Sequence, residues 1–180
     1  MGVCYGMTMK RKAMKDAKTY KSRQVFPQDT NHLGTLFGGT MMANIDEVAA
    51  ICACKHSNTQ VVTASTDSVD FIRPIKTGDI MNYVAMVTYS GKSSMEICVQ
   101  IFIEDVYNNE EHLAALSFLT FVALDAQGKP TQVPEVYPES EIEYWFHKHA
   151  EARVQRRKER RNESKHTLAF LEDIKTQREI

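Results

Sequence analysis

The clearest pattern in the chain is a stretch of helical periodicity that begins behind a glycine pair. Met42, Ile45, Ala49 and Cys52 recur at spacings of three and four. Met41, Val48 and Ile51 widen the stripe until most of the surface over residues 38–56 is apolar or small. That pattern predicts a buried helix. Elsewhere the period drops to two. Residues 18–26 mix β-branched and aromatic side chains with charge and predict a first strand, stopped by Pro27. Residues 60–72, 80–89, 95–106 and 112–124 predict four more, separated by turn residues around 76–79, 90–94 and 107–109. A strand, a long helix and then four strands at hairpin distances favour antiparallel pairing, with the sheet curled over the helix. The fold class is therefore α+β, and spacing alone does not choose among α+β sandwiches.

The ends read differently. Residues 1–16 are basic and Met-dotted without periodicity, which predicts a mobile leader, and residues 17–128 hold the regular pattern. From residue 129 Pro130, Pro134 and Pro138 mark a linker. A helical, basic extension to residue 180 follows, with Glu139-Ser140-Glu141 at its start, a stripe of Ile142, Trp145, Phe146 and His149, and a charge run from Arg153 to Arg161. Such a run is usually a solvated face; docking on another subunit, or charge beside a phosphate-bearing ligand, is the functional alternative.

Composition narrows the class. With 22 basic against 23 acidic residues and a net charge of -1, no general field exists for nucleic acid or a membrane surface. No apolar run approaches the ~20 residues of a membrane span. The N-terminal region lacks the apolar core of a secretory signal, and Gly6 stands where an acylation motif needs Ser or Thr. Cys4, Cys52, Cys54 and Cys98 fit neither a zinc nor a disulfide spacing, so reduced thiols in the cytoplasm are expected and Asn162-Glu163-Ser164 carries no weight as a glycosylation site.

Candidate chemistry gathers at the predicted helix. Gly38 and Gly39 allow a tight turn and Thr40 can cap it, so orphan backbone N–H groups collect where negative charge is favoured. Asp46 lies inside the apolar run. Its helix neighbours Met42, Ala43, Ala49 and Ala50 cannot answer a carboxylate. Burial among them would raise its basicity. The bland alternative is an Asp facing solvent, which most isolated helical acids do.

Taken in order, Pro27, Asn31, Gly34 and Gly38-Gly39, then Ile45-Asp46-Glu47-Val48-Ala49, Thr63-Ala64-Ser65, Asp70 to Ile75, Gly78-Asp79 and Ser90 to Ser94 resemble the acyl-coenzyme A thioesterases of the hotdog fold, specifically the small single-domain acyl-CoA hydrolases. The resemblance covers about residues 17–128. It implies an antiparallel five- to six-stranded sheet wrapped around a long central helix, here with a C-terminal helical extension. It also implies hydrolysis of acyl-CoA to free fatty acid and coenzyme A at a site shared by two chains, with Asn31 and Asp46 as the catalytic positions. A dimer is then the minimal active unit, and a hexamer built as a trimer of dimers the expected assembly.

Within that chemistry Asp46 serves as general base or nucleophile, Asn31 orients water or thioester, and the N–H of Gly39, with Gly38, polarises the carbonyl. The family places the turn at 90–94 near the bound nucleotide, which makes Lys92 and Ser93 substrate contacts, with Arg73 a weaker one. No metal or cofactor is expected, coenzyme A being part of the substrate. Glu47 and His32 are the rivals for the base, and hydroxyls at Thr63, Ser65 and Thr66 read as surface decoration. The alternatives are a non-catalytic acyl-CoA-binding hotdog regulator, for which the N-terminal segment is too short to hold a DNA-reading helix pair, and a hotdog dehydratase using His32.

Overall fold

The computed structural model describes residues 11–178. A short strand β1 (Arg11–Ala13) and one helical turn α1 (Met14–Ala17) precede β2 (Thr19–Gln24). The long helix α2 (Gly38–Ser57) follows, then β3 (Gln60–Phe71), β4 (Ile80–Ser90), β5 (Ser94–Asp105), β6 (Glu110–Leu124) and β7 (Glu135–Tyr137), and finally helices α3 (Glu141–Lys148) and α4 (Ala150–Arg178). Five strands form one antiparallel sheet in the order β2-β4-β5-β6-β3, while β1 and β7 pair separately and in parallel. A curled sheet around one helix is the hotdog arrangement implied by the resemblance.

The core lies between α2 and the sheet. Met41, Ile45, Val48, Ala49, Cys52 and Ala53 of the helix pack with Tyr83, Val87, Ile97, Val99, Leu119 and Phe121 of the strands. Each large side chain buried there contributes about 1.5–3 kcal/mol. The helix is not buried all round, however, because Met42 and Ile51 remain exposed. Thr40 does not cap it either: Phe37 holds the N-cap position without a side-chain bond and Thr40 lies inside the first turn. At the other end Asn58 adopts the left-handed conformation (φ 55°) and its N–H closes on the Cys54 carbonyl at 2.8 Å. Lys12 of β1 reaches across to the terminal carbonyls of Lys55 and His56.

Three sequence expectations change. Residues 11–16 belong to the fold rather than to a leader, since Met14 and Ala17 sit in the core and pin α1 against α2; residues 1–10 lie outside the described part. The proline-rich linker contains a strand, β7, whose Val136 is buried and donates its N–H to Ser90 Oγ at 2.9 Å. The extension's buried line is Glu143, Phe146 and Ala150, not the stripe read from hydrophobicity; Ile142 and Trp145 are exposed. Glu143 is buried because it closes a capping box with Ser140.

The extension covers the second face of the sheet. Adjacent strand residues point to opposite faces, and Leu119 shares a cavity with Ile45 of α2 whereas Phe118 shares one with α4. On Phe118 rest the Phe146 ring, 6.3 Å away between centroids, and the Arg153 guanidinium at 4.5 Å. Beside them Glu96, fully buried, accepts from Thr88 Oγ1 (2.7 Å), Arg153 (2.9 Å) and Arg157 (3.1 Å). The basic run is thus partly a docking face, and the solvated-face expectation fails for Arg153 and Arg157.

Candidate active site

Asp46 lies two turns into α2, on the side of the helix that faces β3. Its Oδ1 accepts a 2.8 Å hydrogen bond from Thr63 Oγ1. The side chain is exposed in the single chain, so it lacks the apolar enclosure expected for it. It borders an open cavity of about 270 Å³ with apolar walls from Met42, Ile45, Val69 and Leu119 and hydroxyls from Thr63 and Thr66. The cavity and the carboxylate together suit a chain-bearing substrate next to a base.

Asn31 occupies a compact loop ahead of the helix. Its N–H donates to the Thr35 carbonyl at 2.8 Å, its Oδ1 accepts from the N–H of Leu33 (2.9 Å) and Thr35 (3.3 Å), and its Nδ2 donates to Thr35 Oγ1 at 3.0 Å. Gly34, at φ 73°, supplies the left-handed residue that lets this loop close. Thr35 continues into a second cavity of about 290 Å³, shared with Leu36, Met41, Phe71, Ile72 and the exposed Arg73.

Met41, in the first turn of the helix, is on the wall of that second cavity. The first intrahelical bond is Met41 N–H to the Phe37 carbonyl (3.2 Å), so the N–H groups of Gly38 and Gly39 precede the ladder and retain donor capacity. Only Gly39 is short of space. A Cβ on Gly38 would lie 3.5 Å from the Phe71 ring, and one on Gly39 only 2.5 Å from Phe37. Neither needs a positive φ, contrary to the tight turn expected.

The sequence-predicted residues thus fall into separate groups. Asn31, Gly38, Gly39 and Arg73 surround the helix start. Asp46 stands seven residues beyond Gly39, about 10 Å along the axis at 1.5 Å per residue. Lys92 and Ser93 lie on the β4–β5 turn, where their carbonyls accept from Val133 (3.1 Å) and Ala123 (2.9 Å), beside a third cavity lined by Gly91, Ser94, Arg157, Lys158 and Arg161. Of the rival bases, Glu47 is paired with Lys21 at 2.5 Å and His32 is exposed. Among the described residues no group of three or more His, Cys, Asp or Glu side chains could hold a metal.

Thr63 is the residue that sequence reasoning dismissed. Its signal was present as polar TASTDS inside a Val-rich strand, but which hydroxyl faces the helix depends on register. Two buried thiols stand apart from this chemistry: burial pushes Cys52 up to about 12 and raises Cys98 as well, so both are inert.

Residues 33–108 match the thioesterase superfamily model. The chain is 47% identical over 162 residues to the uncharacterized acyl-CoA thioester hydrolase YkhA of Bacillus subtilis, covering 90% of this chain and 92% of that one. Among solved structures, an acyl-CoA hydrolase from Staphylococcus aureus in complex with butyryl coenzyme A, coenzyme A and coenzyme A disulfide superposes with a TM-score of 0.88 at 66% identity, covering 89% and 98% of the two chains. Variants of that hydrolase carry Ala in place of one Asp, one Asn or one Thr; the Asn and Asp stand 15 residues apart and the Asp and Thr 17 apart, the separations of Asn31, Asp46 and Thr63 here. An apo-hexameric acyl-CoA thioesterase superposes with a TM-score of 0.81 at 44% identity over 84% of this chain and 97% of its own.

Proposed function

The chain belongs to the acyl-CoA thioester hydrolases of the thioesterase superfamily, and from that premise we propose that it hydrolyses acyl-CoA thioesters to a free fatty acid and coenzyme A with Asp46 as general base. The observation that carries the assignment is the Asp46 carboxylate held by Thr63 at the mouth of an apolar cavity. Water bound to the carboxylate gives it a proton and attacks the thioester carbon. The tetrahedral oxyanion is stabilised by backbone N–H at a helix start. Collapse breaks the C–S bond, and the proton held by Asp46 returns to the departing thiolate. No resident cofactor enters these steps.

One chain cannot supply both groups to one carbonyl, because the axial distance from Gly39 to Asp46, about 10 Å, exceeds hydrogen-bond reach by far. We therefore pair Asp46 of one chain with Asn31 and the Gly39 N–H of a second. The sheet offers the means: β3 is an edge strand packed on α2, with Val62 and Phe71 exposed on it, Ile72 exposed just beyond it, and Met42 and Ile51 exposed on the helix. An apolar strip beside an open edge calls for cover. A dimer through β3 provides it, and a hexamer of three such dimers follows the hexameric relative. Arg73, Lys92 and Ser93 are assigned to the phosphate-bearing end of coenzyme A. No helix among the described residues is long and apolar enough to cross a membrane, and the free, buried thiols of Cys52 and Cys98 suit the reducing cytoplasm, where we place the protein.

A thiol-release assay over acyl-CoAs of increasing chain length tests this directly. Turnover of at least some of them is expected, and Asp46→Asn should lower kcat by about 100-fold or more. A folded Asp46→Asn protein with full turnover overturns the assignment.

A further inference from the structure

β3 departs from a regular strand twice. Its pairing with β6 skips a residue between Thr63 and Ser65 and again between Thr66 and Ser68, so Ala64 and Asp67 have no partner across the ladder. Each skip is a bulge. Its effect on side-chain direction is specific. Same-face residues of an unbroken strand are two apart; here Thr63, Thr66 and Val69, three apart, pair with Phe121, Leu119 and Ser117, which are two apart on β6 and share one face. The first extra residue brings Thr63 and Thr66 onto one face and the second brings Val69 onto it as well, and all three line the Asp46 cavity.

Asp67, the second extra residue, is gripped from the other face of the sheet by α4. Arg157 Nη1 lies 2.6 Å from its Oδ2 and Arg160 Nη2 lies 2.5 Å from its Oδ1, while Arg160 Nη1 donates to its main-chain carbonyl at 2.7 Å. Ser65 Oγ adds a 2.8 Å bond. Arg157 is in turn anchored on buried Glu96. Burial alone would raise the Asp67 pKa, yet the hydrogen bonds from Arg157 and Ser65 hold it below the usual carboxylate value. Two guanidiniums that fix both the carboxylate and the carbonyl of a bulge residue define the path of the strand there.

We propose that Arg157, Arg160 and Asp67 are positioning residues for hydrolysis: α4 locks the second bulge of β3 and so keeps Thr63 aimed at Asp46. This rests on Asp46 being the base. Thr63 donates to Asp46 and holds the carboxylate in one orientation at the cavity mouth. If the bulge slips, Thr63 turns away and the carboxylate loses the one hydrogen-bond partner it has among the described residues. Asp46 is the sole titratable side chain lining its cavity: Glu47 of α2 is turned to Lys21 of β2, and Asp67 of β3 to α4.

The test uses the full chain and Arg160→Ala, whose lost hydrogen bonds go to Asp67 alone. We expect kcat to fall about fivefold with KM changed less than about twofold. Thr63→Val should likewise lower kcat with little change in KM. Adding Arg160→Ala to Thr63→Val should lower kcat by less than about twofold more, as coupled positions do. A lower Tm with kcat unchanged overturns the proposal, and so does a full, independent loss in the double variant. Failure of the base assignment shows itself separately, as an Asp46→Asn protein that keeps its turnover.

Discussion

At the scale of single residues, the oxyanion assignment can be isolated from packing. Gly39→Pro removes the N–H at a first-turn position where proline is tolerated. Gly39→Ala keeps the N–H but brings the same Cβ against the Phe37 ring. Phe37 is exposed and free to swing, so Gly39→Ala should retain most turnover while Gly39→Pro loses about 100-fold in kcat; equal losses measured by steady-state kinetics would assign the effect to the ring instead. His32→Gln should leave kcat within about twofold, since the base role falls to Asp46 at the cavity mouth.

His56 has a different role. It is fully buried, with Nε2 donating to the Pro134 carbonyl at 3.0 Å and Nδ1 unpartnered among the described residues. Burial lowers its pKa below 6.5. The unfolded chain therefore binds a proton near pH 6.5 that the native chain refuses, and stability falls as pH drops through that value. Urea titrations at pH 7.5 and 5.5 should show this loss, and His56→Gln should reduce it.

At the scale of elements, the packing of α3 carries a sharp expectation. Phe146 is buried on Phe118, so Phe146→Ala should cost about 3–5 kcal/mol, read as a fall in Tm. Asn58→Val, which forces a β-branched residue into the left-handed conformation, should lower stability by about 1–2 kcal/mol, whereas Asn58→Gly should not. Elements of this kind differ in how far the sequence reveals them. The five sheet strands and α2 were legible because period-two runs and helical spacing alternate cleanly with turn residues. β1, α1 and β7 were not, being three or four residues long, too short for any period to register. The true inward line of α3 was hidden because Glu143 is buried by a capping box, a reason hydrophobicity does not encode. The site divides the same way: Asn31, Gly38-Gly39 and Asp46 stand out by sequence spacing, whereas Thr63 and Asp67 owe their directions to bulges, which depend on strand register.

At the scale of the whole molecule, a shared site makes activity depend on association. If Asp46 and the Gly39 N–H meet only across two chains, specific activity should collapse on dilution in step with dimer dissociation, measured by sedimentation alongside thiol release. A verified monomer with undiminished activity per chain would remove the shared site. Mixing Asp46→Asn with Asn31→Ala chains offers a complementary check, because one of the two sites in a mixed dimer then regains both groups, and partial turnover should return from two inactive parents.

The parallel pairing of β1 with β7 joins Arg11–Ala13 to Glu135–Tyr137 and so closes the structure with the most distant partners in its sheets. During synthesis β1 has nothing to pair with until the ribosome has delivered more than a hundred further residues, whereas Met14 behind it is covered once α2 and β4 are made. Nascent chains arrested before residue 135 should accordingly be trimmed by protease near residue 12, and those released beyond residue 137 should resist it.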